Sequence, residues 1–250
     1  MLEISPIPAF QDNYIWLLSQ DGHAAVVDPG DAIPVFTVLD EMGLALDGIF
    51  ITHHHSDHID GVQALYDKYR CPIYAPTQTQ YKFPHHDVHD GDEISLEHLN
   101  ITLQVMEVPG HTLDHVAYYG ANVLFCGDTL FSAGCGRLFE GSPLQMYNSL
   151  QKLASLSGNT AVYCTHEYTQ NNIGFALEID PENADLIAYS HKVNAMRLSG
   201  KPSLPSTLDF ELKVNPFLRC ESAQIKQCLN MENMHPAEIF SKLRTMRNHY

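Results

Sequence analysis

In His53-x-His55-x-Asp57-His58, four side chains able to ligate a metal fall within six residues. Imidazole nitrogens and carboxylate oxygens suit zinc, iron or manganese, and the lack of a thiolate argues against a closed structural zinc site. The run follows the apolar segment Gly48-Ile49-Phe50-Ile51-Thr52. A strand ending there gives a rigid base from which a turn can aim alternate side chains into one cleft. A histidine-rich surface loop would carry the same residues, so the motif gains meaning only with partners elsewhere.

Three later segments supply such partners, each at or beside an expected strand end: Pro109-Gly110-His111-Thr112, Cys126-Gly127-Asp128-Thr129 and Thr165-His166-Glu167. A lone histidine or aspartate at a strand end ordinarily does no more than satisfy a hydrogen bond. Together the four segments offer seven candidate ligands, His53, His55, Asp57, His58, His111, Asp128 and His166. That is enough for two cations if a carboxylate bridges them.

Such a cluster needs a covered sheet behind it. Tyr14–Leu18, Ala24–Val27, Ile49–Thr52, Ile101–Val108, Val116–Tyr119, Val123–Cys126 and Ala161–Cys164 read as strands, several too apolar to face water on either side. Apolar residues recur at helical intervals in Ala32–Met42, Gly61–Tyr69 and Pro143–Leu156. This order points to a layered α/β architecture. After about residue 168 the strand signals fade. Asp180-Pro181-Glu182 predicts a helix start and Gly200 its stop. Lys201–Phe217, with three prolines, reads as a connector, and helices are expected near Glu221–Leu229 and Pro236–Arg247. The expected division is therefore 1–168 and a smaller helical domain, 169–250.

A chain of 250 residues, 44% hydrophobic, can bury a substantial core in one large domain or two modest ones. Neither a signal-peptide pattern nor an apolar run of the ~18 residues needed to span a membrane occurs, so a cytoplasmic protein without membrane contact is expected. The formal charge of −16 argues against nucleic acid or anionic lipid as a partner. Residues 201–250 carry seven of the fourteen Lys and Arg but five of the thirty Asp and Glu, an asymmetry that suits a local anion-binding surface. The six cysteines show no C-x-x-C spacing and read as free thiols.

The ordered ligand motifs resemble the metallo-β-lactamase superfamily. Further segments narrow the likeness: Asp12-Asn13-Tyr14-Ile15-Trp16, Val27-Asp28-Pro29-Gly30, Phe131-Ser132-x-Gly134-Cys135-Gly136-Arg137-x-Phe139-Glu140-Gly141 and His166-Glu167-Tyr168-Thr169-x-Asn171-Asn172. Over essentially the whole chain the sequence resembles the glyoxalase II, or hydroxyacylglutathione hydrolase, family. The resemblance implies a metallo-β-lactamase-like αββα sandwich followed by a small all-helical C-terminal domain that binds substrate. It implies two divalent metal ions per chain, zinc first, with iron or manganese as alternatives. His53, His55 and His111 would hold one, Asp57, His58 and His166 the other, and Asp128 would bridge them. Asp28 would orient ligands, His54 would be structural, and His85, His86 and His89 match no ligand position.

The implied reaction hydrolyses S-D-lactoylglutathione and related 2-hydroxyacyl glutathione thioesters to glutathione and D-lactate, a step of methylglyoxal detoxification. Two cations ~3.5–4 Å apart can lower the pKa of a bridging water and polarise the thioester carbonyl. Asp57 and Asp128 would be the catalytic carboxylates, and Asp57 could take the nucleophile's proton. Cys135 and Cys164 have no obvious activating partner for covalent catalysis. Arg137, Phe139, Tyr168, Arg244 and Arg247 match substrate-contacting positions. Arg244 and Arg247 share a helix face in this reading and could clamp one carboxylate. Phe139 replaces a tyrosine of some members, and Asp60 and Asp114 stand where superfamily members often have glycine. The partner expected is this small-molecule thioester, and the expected assembly is a monomer. The rivals are another hydrolase of the superfamily, acting on a different thioester, lactone, β-lactam or phosphodiester, a single-iron oxygenase of that superfamily, and a noncatalytic metal-binding protein.

Overall fold

The strand Asn13–Gln20 alternates its side chains between two buried faces, which is why its segment reads as continuously apolar. In the computed structural model, which describes residues 1–78 and 80–250, the chain packs as two compact units, Met1–Glu107 with Asp114–Gly127, and Val108–Leu113 with Asp128–Tyr250.

In the first unit, β1 (Glu3–Ala9), β2 (Asn13–Gln20), β3 (His23–Val27), β4 (Ala45–Phe50), β5 (Ile73–Pro76) and β6 (His86–Val88) form a sheet in that order. The first two pairings are antiparallel. The last three are parallel. Three helices, α1 (Ala32–Met42), α2 (Ser56–Ile59) and α3 (Val62–Tyr69), interrupt the strands. Asp31 caps α1 by accepting from the Ile33 amide, and Gly43 ends it in the left-handed conformation, φ 65°. Ile15 and Leu17 on one face of β2 share a core with Val35 and Leu39 of α1 and Val62 and Leu65 of α3.

The other face, with Trp16 and Leu18, is equally buried. A second sheet faces it, with neighbouring strands antiparallel: β7 (Glu93–Leu96), β8 (Ile101–Glu107), β9 (Val116–Gly120) and β10 (Val123–Gly127). Phe50 meets Tyr118 edge-on at 5.0 Å, and the Tyr118 hydroxyl donates to the Ile51 carbonyl at 2.8 Å. The buried hydroxyl thus ties strand to strand without an unsatisfied polar atom.

The second unit pairs β11 (Leu130–Phe131) with β12 (Gly134–Cys135) and β13 (Ala161–Cys164) with β14 (Ser206–Thr207), both antiparallel. Its helices are α4 (Pro143–Ala154), α5 (Thr169–Ile179), α6 (Ala184–Leu198), α7 (Leu208–Val214), α8 (Ala223–Cys228) and α9 (Pro236–Asn248). Ser142 and Gln145 form a capping box at α4, and Pro143 takes the first helical position. Ile173 and Ala176 of α5, Leu186, Tyr189 and Val193 of α6 and Val214 of α7 pack round Ala133.

Several local expectations are corrected. The segment Lys201–Phe217 is no simple connector, since β14 and α7 lie within it. Helix α6 begins at Ala184 rather than at Asp180. The Asn183 side chain caps it by accepting from the Leu186 amide at 3.1 Å, while the Asp180 carboxylate is taken by Arg219 and by Asn183 Nδ2. Strand β4 ends at Phe50, and Thr52 turns its amide to Asp28 Oδ1 at 2.7 Å instead. All six cysteines are free thiols, five of them buried. Among the described residues no helix is long and apolar enough to cross a membrane.

Candidate active site

Each unit gathers its own share of the expected ligands. In the first, Asp28 follows β3 at φ 53°, a left-handed conformation that aspartate tolerates better than most residues. Its buried carboxylate accepts from the Thr52 amide and the Thr52 hydroxyl, each at 2.7 Å. With its own proton given to Asp28, the Thr52 hydroxyl accepts from His53 Nδ1 at 3.1 Å. The same carboxylate lies 2.9 Å from His58 Nδ1. A proton held on His53 Nδ1 leaves its Nε2 lone pair for a cation, and the carboxylate charge beside His58 Nδ1 favours a proton on that nitrogen too. Asp28 thus lies directly against His58 and reaches His53 through Thr52, two of the expected ligands.

His53 Nε2 stands 3.1 Å from His55 Nδ1, and His58 Nε2 stands 3.6 Å from Asp57 Oδ2. His53 and His58 are fully buried, so donors packed this closely in a dry wall suit a shared positive charge. The one-turn helix α2, entered at His55, places Asp57 and His58 one after the other, and Asn13 Nδ2 holds Asp57 Oδ2 at 3.0 Å. His54 points elsewhere. Its Nδ1 lies 2.9 Å from Asp114 Oδ1, which gives the unexpected aspartate at 114 a partner. Among the described residues, neither His85, His86 nor His89 joins a ligand group. His85 instead pairs with Asp87 at 3.2 Å.

In the second unit, His111 Nδ1 donates to the Arg137 carbonyl at 2.7 Å, which fixes the tautomer and turns Nε2 towards Asp128. His111 Nε2 and His166 Nε2 each lie 3.4 Å from Asp128 Oδ2, and all three residues are buried. One carboxylate oxygen flanked by two imidazole nitrogens, too far for short hydrogen bonds, is a donor set that fits a divalent cation. Gly136 makes the arrangement possible. A Cβ there would stand 1.8 Å from the Asp128 carbonyl oxygen.

The same unit holds a cavity of about 390 Å³ whose walls include His111 and Asp128 together with Arg137, Phe139, Tyr168, Arg244 and Arg247. All five expected substrate contacts thus border the same space as two expected ligands. The Tyr168 ring stacks on His166 at 4.6 Å, and Phe139, exposed at the rim, meets His111 edge-on at 5.2 Å. Arg244 is buried and donates from Nη1 to the carbonyl oxygens of Cys135 at 2.7 Å and Gly136 at 3.3 Å. Arg247, half-buried, reaches Asn172 Oδ1 at 3.2 Å. Burial and then the neighbouring Arg244 charge pull the Arg247 pKa down. Burial pushes the Cys135 thiol up, against the pull of Arg244, which disfavours the thiolate that covalent catalysis would need.

Residues 9–166 match the metallo-β-lactamase superfamily, a span that contains all seven expected ligands, and residues 167–250 match the C-terminal region of hydroxyacylglutathione hydrolase. Over 250 residues the chain is 52% identical to a hydroxyacylglutathione hydrolase of Methylobacillus flagellatus, with 100% of both chains covered. The chain belongs to the hydroxyacylglutathione hydrolase family. A second member, from Psychromonas ingrahamii, is 46% identical with 100% of both chains covered.

This hydroxyacylglutathione hydrolase family member has the metallo-β-lactamase fold and is a metal-dependent hydrolase. Among solved structures, it is similar to a B3 metallo-β-lactamase with TM-score 0.63 and 24% identity, covering 87% of this chain and 99% of that one. It is also similar to the ETHE1 protein of Myxococcus xanthus with TM-score 0.66 and 22% identity, covering 99% and 98%.

Two residues of the site carry roles their sequence positions did not announce. Asn172 bridges Arg247 to the Ser132 carbonyl, which its Nδ2 reaches at 3.0 Å. Glu211, fully buried, accepts from the Ser132 hydroxyl at 2.7 Å and the Ala133 amide at 2.8 Å, and so pins the loop that leads to Arg137. The paired amides Asn171-Asn172 were a visible signal for the first. Nothing local marks Glu211, which lies 78 residues from Ala133 in the chain.

Proposed function

We propose that this chain hydrolyses S-D-lactoylglutathione and related 2-hydroxyacyl glutathione thioesters, giving glutathione and a 2-hydroxy acid such as D-lactate. The observation that carries the reading is the 390 Å³ cavity in which three arginines and Tyr168 share a wall with His111 and Asp128. Glutathione is rich in carboxylates, and guanidinium groups bind carboxylates with directional, charge-assisted hydrogen bonds. In a chain of net charge −16, three arginines at one cavity answer the need for a local anion site.

The metal assignment belongs to the same proposal. His53, His55 and His111 would hold one divalent cation, Asp57, His58 and His166 a second, and Asp128 both, with zinc favoured over iron or manganese. The donor types and the Nδ1 contacts of His53, His58 and His111 support it. When bound, such cations lower the pKa of water and polarise a carbonyl. The chain's own residues do the rest. Arg137, Arg247 and Tyr168 would bind the glutathione moiety and orient the thioester, with Arg244 bracing their wall. Asp57, held by Asn13, would orient the attacking water and accept its proton as the oxygen adds to the carbonyl carbon. The carbon–sulfur bond then breaks and the thiolate leaves as glutathione, regaining a proton.

In this reading 1–168 is the catalytic domain and 169–250 the substrate-binding domain of a cytoplasmic monomer. Steady-state rates with S-D-lactoylglutathione beside acyl thioesters lacking glutathione test the substrate. We expect kcat/KM higher by at least about 100-fold for the former, since remote binding energy is used in the transition state. Equal values would overturn the glutathione assignment.

A further inference from the structure

His23, Asp47 and His98 form a second cluster of metal-ligating side chains, and it shares no residue with the proposed catalytic ligands. All three lie in the first unit. His23 opens β3 directly after the tight turn at Asp21 and Gly22, both at positive φ. Asp47 lies in β4, and His98 in the short 3-10 turn Glu97–Leu99.

The strand register shows why Asp47 points where it does. Ala24 pairs with Leu46 and Ala25 with Gly48, so Asp47 is an extra residue on β4, a bulge in a parallel pair. Bulges in parallel ladders are rare, and a bulge re-aims the side chain it carries. Here Asp47 Oδ2 comes to 2.9 Å from His23 Nδ1 and 3.0 Å from His98 Nδ1. The two imidazoles stack with centroids 4.0 Å apart and planes 23° from parallel.

Protons serve this geometry poorly. His98 Nδ1 forms a hydrogen bond with Asp47, but His23 Nδ1 is buried and has no hydrogen-bond partner among the described residues, although the carboxylate oxygen is 2.9 Å away. The oxygen stands out of line with that ring nitrogen. Two imidazolium rings stacked this closely would also repel. A cation between the three donors satisfies both rings and the carboxylate at once. The donor atoms all lie within 4.8 Å of one another, a span that small side-chain rotations bring to about 2.0–2.2 Å from a common centre.

We propose that His23, Asp47 and His98 bind a borderline divalent transition-metal ion, Zn²⁺ or Cu²⁺, with further positions open to water. Two imidazoles and one carboxylate suit these ions and not calcium or magnesium, which prefer oxygen donors. The ion would tie β3, β4 and the 97–99 turn together. Because it binds only the folded arrangement, it would stabilise the first unit.

The test uses the full-length protein loaded with only two equivalents of zinc, the complement of the proposed catalytic centre and silent in electron paramagnetic resonance, and Cu²⁺ as the probe. One further equivalent of Cu²⁺ is expected, with a spectrum showing two coordinated imidazole nitrogens and no release of zinc. His98→Ala and Asp47→Asn should each lose that equivalent while thioester hydrolysis stays at the wild-type rate. His98 is largely exposed, so its replacement leaves the core untouched. The proposal is overturned if the wild type takes up no such Cu²⁺, if uptake accompanies zinc loss, or if both variants bind Cu²⁺ as the wild type does.

Discussion

Arg244 Nη1 donates to the Cys135 carbonyl oxygen at 2.7 Å, across 109 residues of sequence. A buried guanidinium used in this way is a strut for the wall of the cavity, whereas Arg247 on the next turn of α9 reaches the Asn172 side-chain amide and lies over the Tyr250 ring. The two arginines should therefore fail differently. Arg244→Ala is expected to cost about 2–4 kcal/mol of stability, because it removes a buried charged donor and leaves carbonyls unpaired. Arg247→Ala should cost less than about 1 kcal/mol and raise KM about tenfold with kcat little changed. Urea unfolding and steady-state kinetics on both variants measure this, and equal stability losses would contradict it.

Asp28 joins Thr52 and His58 through one carboxylate, and reaches His53 by way of the Thr52 hydroxyl. Asp28→Asn should keep the fold and lower metal affinity by about 10–100-fold, the usual consequence of losing the group that orients a ligand. Competition with a chelator, followed by metal analysis, reads the affinity directly. Unchanged affinity would remove Asp28 from the orienting role.

Asp128 stands between His111 and His166, 3.4 Å from each. Asp128→Asn should leave the far-ultraviolet circular dichroism spectrum intact and lower kcat by at least about 100-fold, with reduced metal content. His166→Ala should lose metal as well. A wild-type rate from the Asp128 variant would sink the bridging assignment.

Glu211 accepts only from donors: Ser132, Ser206, the Ala133 amide and Asn215. Glutamine would turn an amide N–H₂ towards some of them, so Glu211→Gln should cost about 1–3 kcal/mol. Burial raises the Glu211 pKa, outweighing the hydrogen bonds that lower it. The folded state thus holds this proton more tightly than the unfolded state does. Relative to the glutamine variant, wild-type stability should therefore be greatest below the ordinary Glu range and fall as pH rises through it to the raised folded value. Denaturant midpoints of both proteins across that range check the sign, and a difference that grows with pH would refute it.

Local chemistry along the chain was enough to place most of the frame. Ala32–Met42 carries its own cap and its own glycine stop, and α1 has those limits. Pro143 follows a capping serine, and α4 begins there. The strands that supply ligands are legible because burial on both faces demands unbroken apolar runs, and the ligand types stand at their ends. The short strands β5, β6 and β7 have too few residues to show a period, and α5, with Asn171, Asn172 and Gly174 and no side-chain cap, is held by packing of Ile173, Phe175 and Ala176.

Residue types, their order and the family pattern they form were therefore properties of the sequence alone. What only the tertiary structure decided is which partner each polar group meets. Asp180 looks like a helix cap and is claimed by Arg219, and Arg244, expected at the substrate, also donates from Nη1 to backbone carbonyls of Cys135 and Gly136. Glu211, in a segment that reads as a connector, is the buried acceptor that pins the 132–133 backbone. The reason is physical. A hydrogen bond depends on a few tenths of an ångström and on direction, and its partners here lie up to 109 residues apart, beyond the reach of any local pattern.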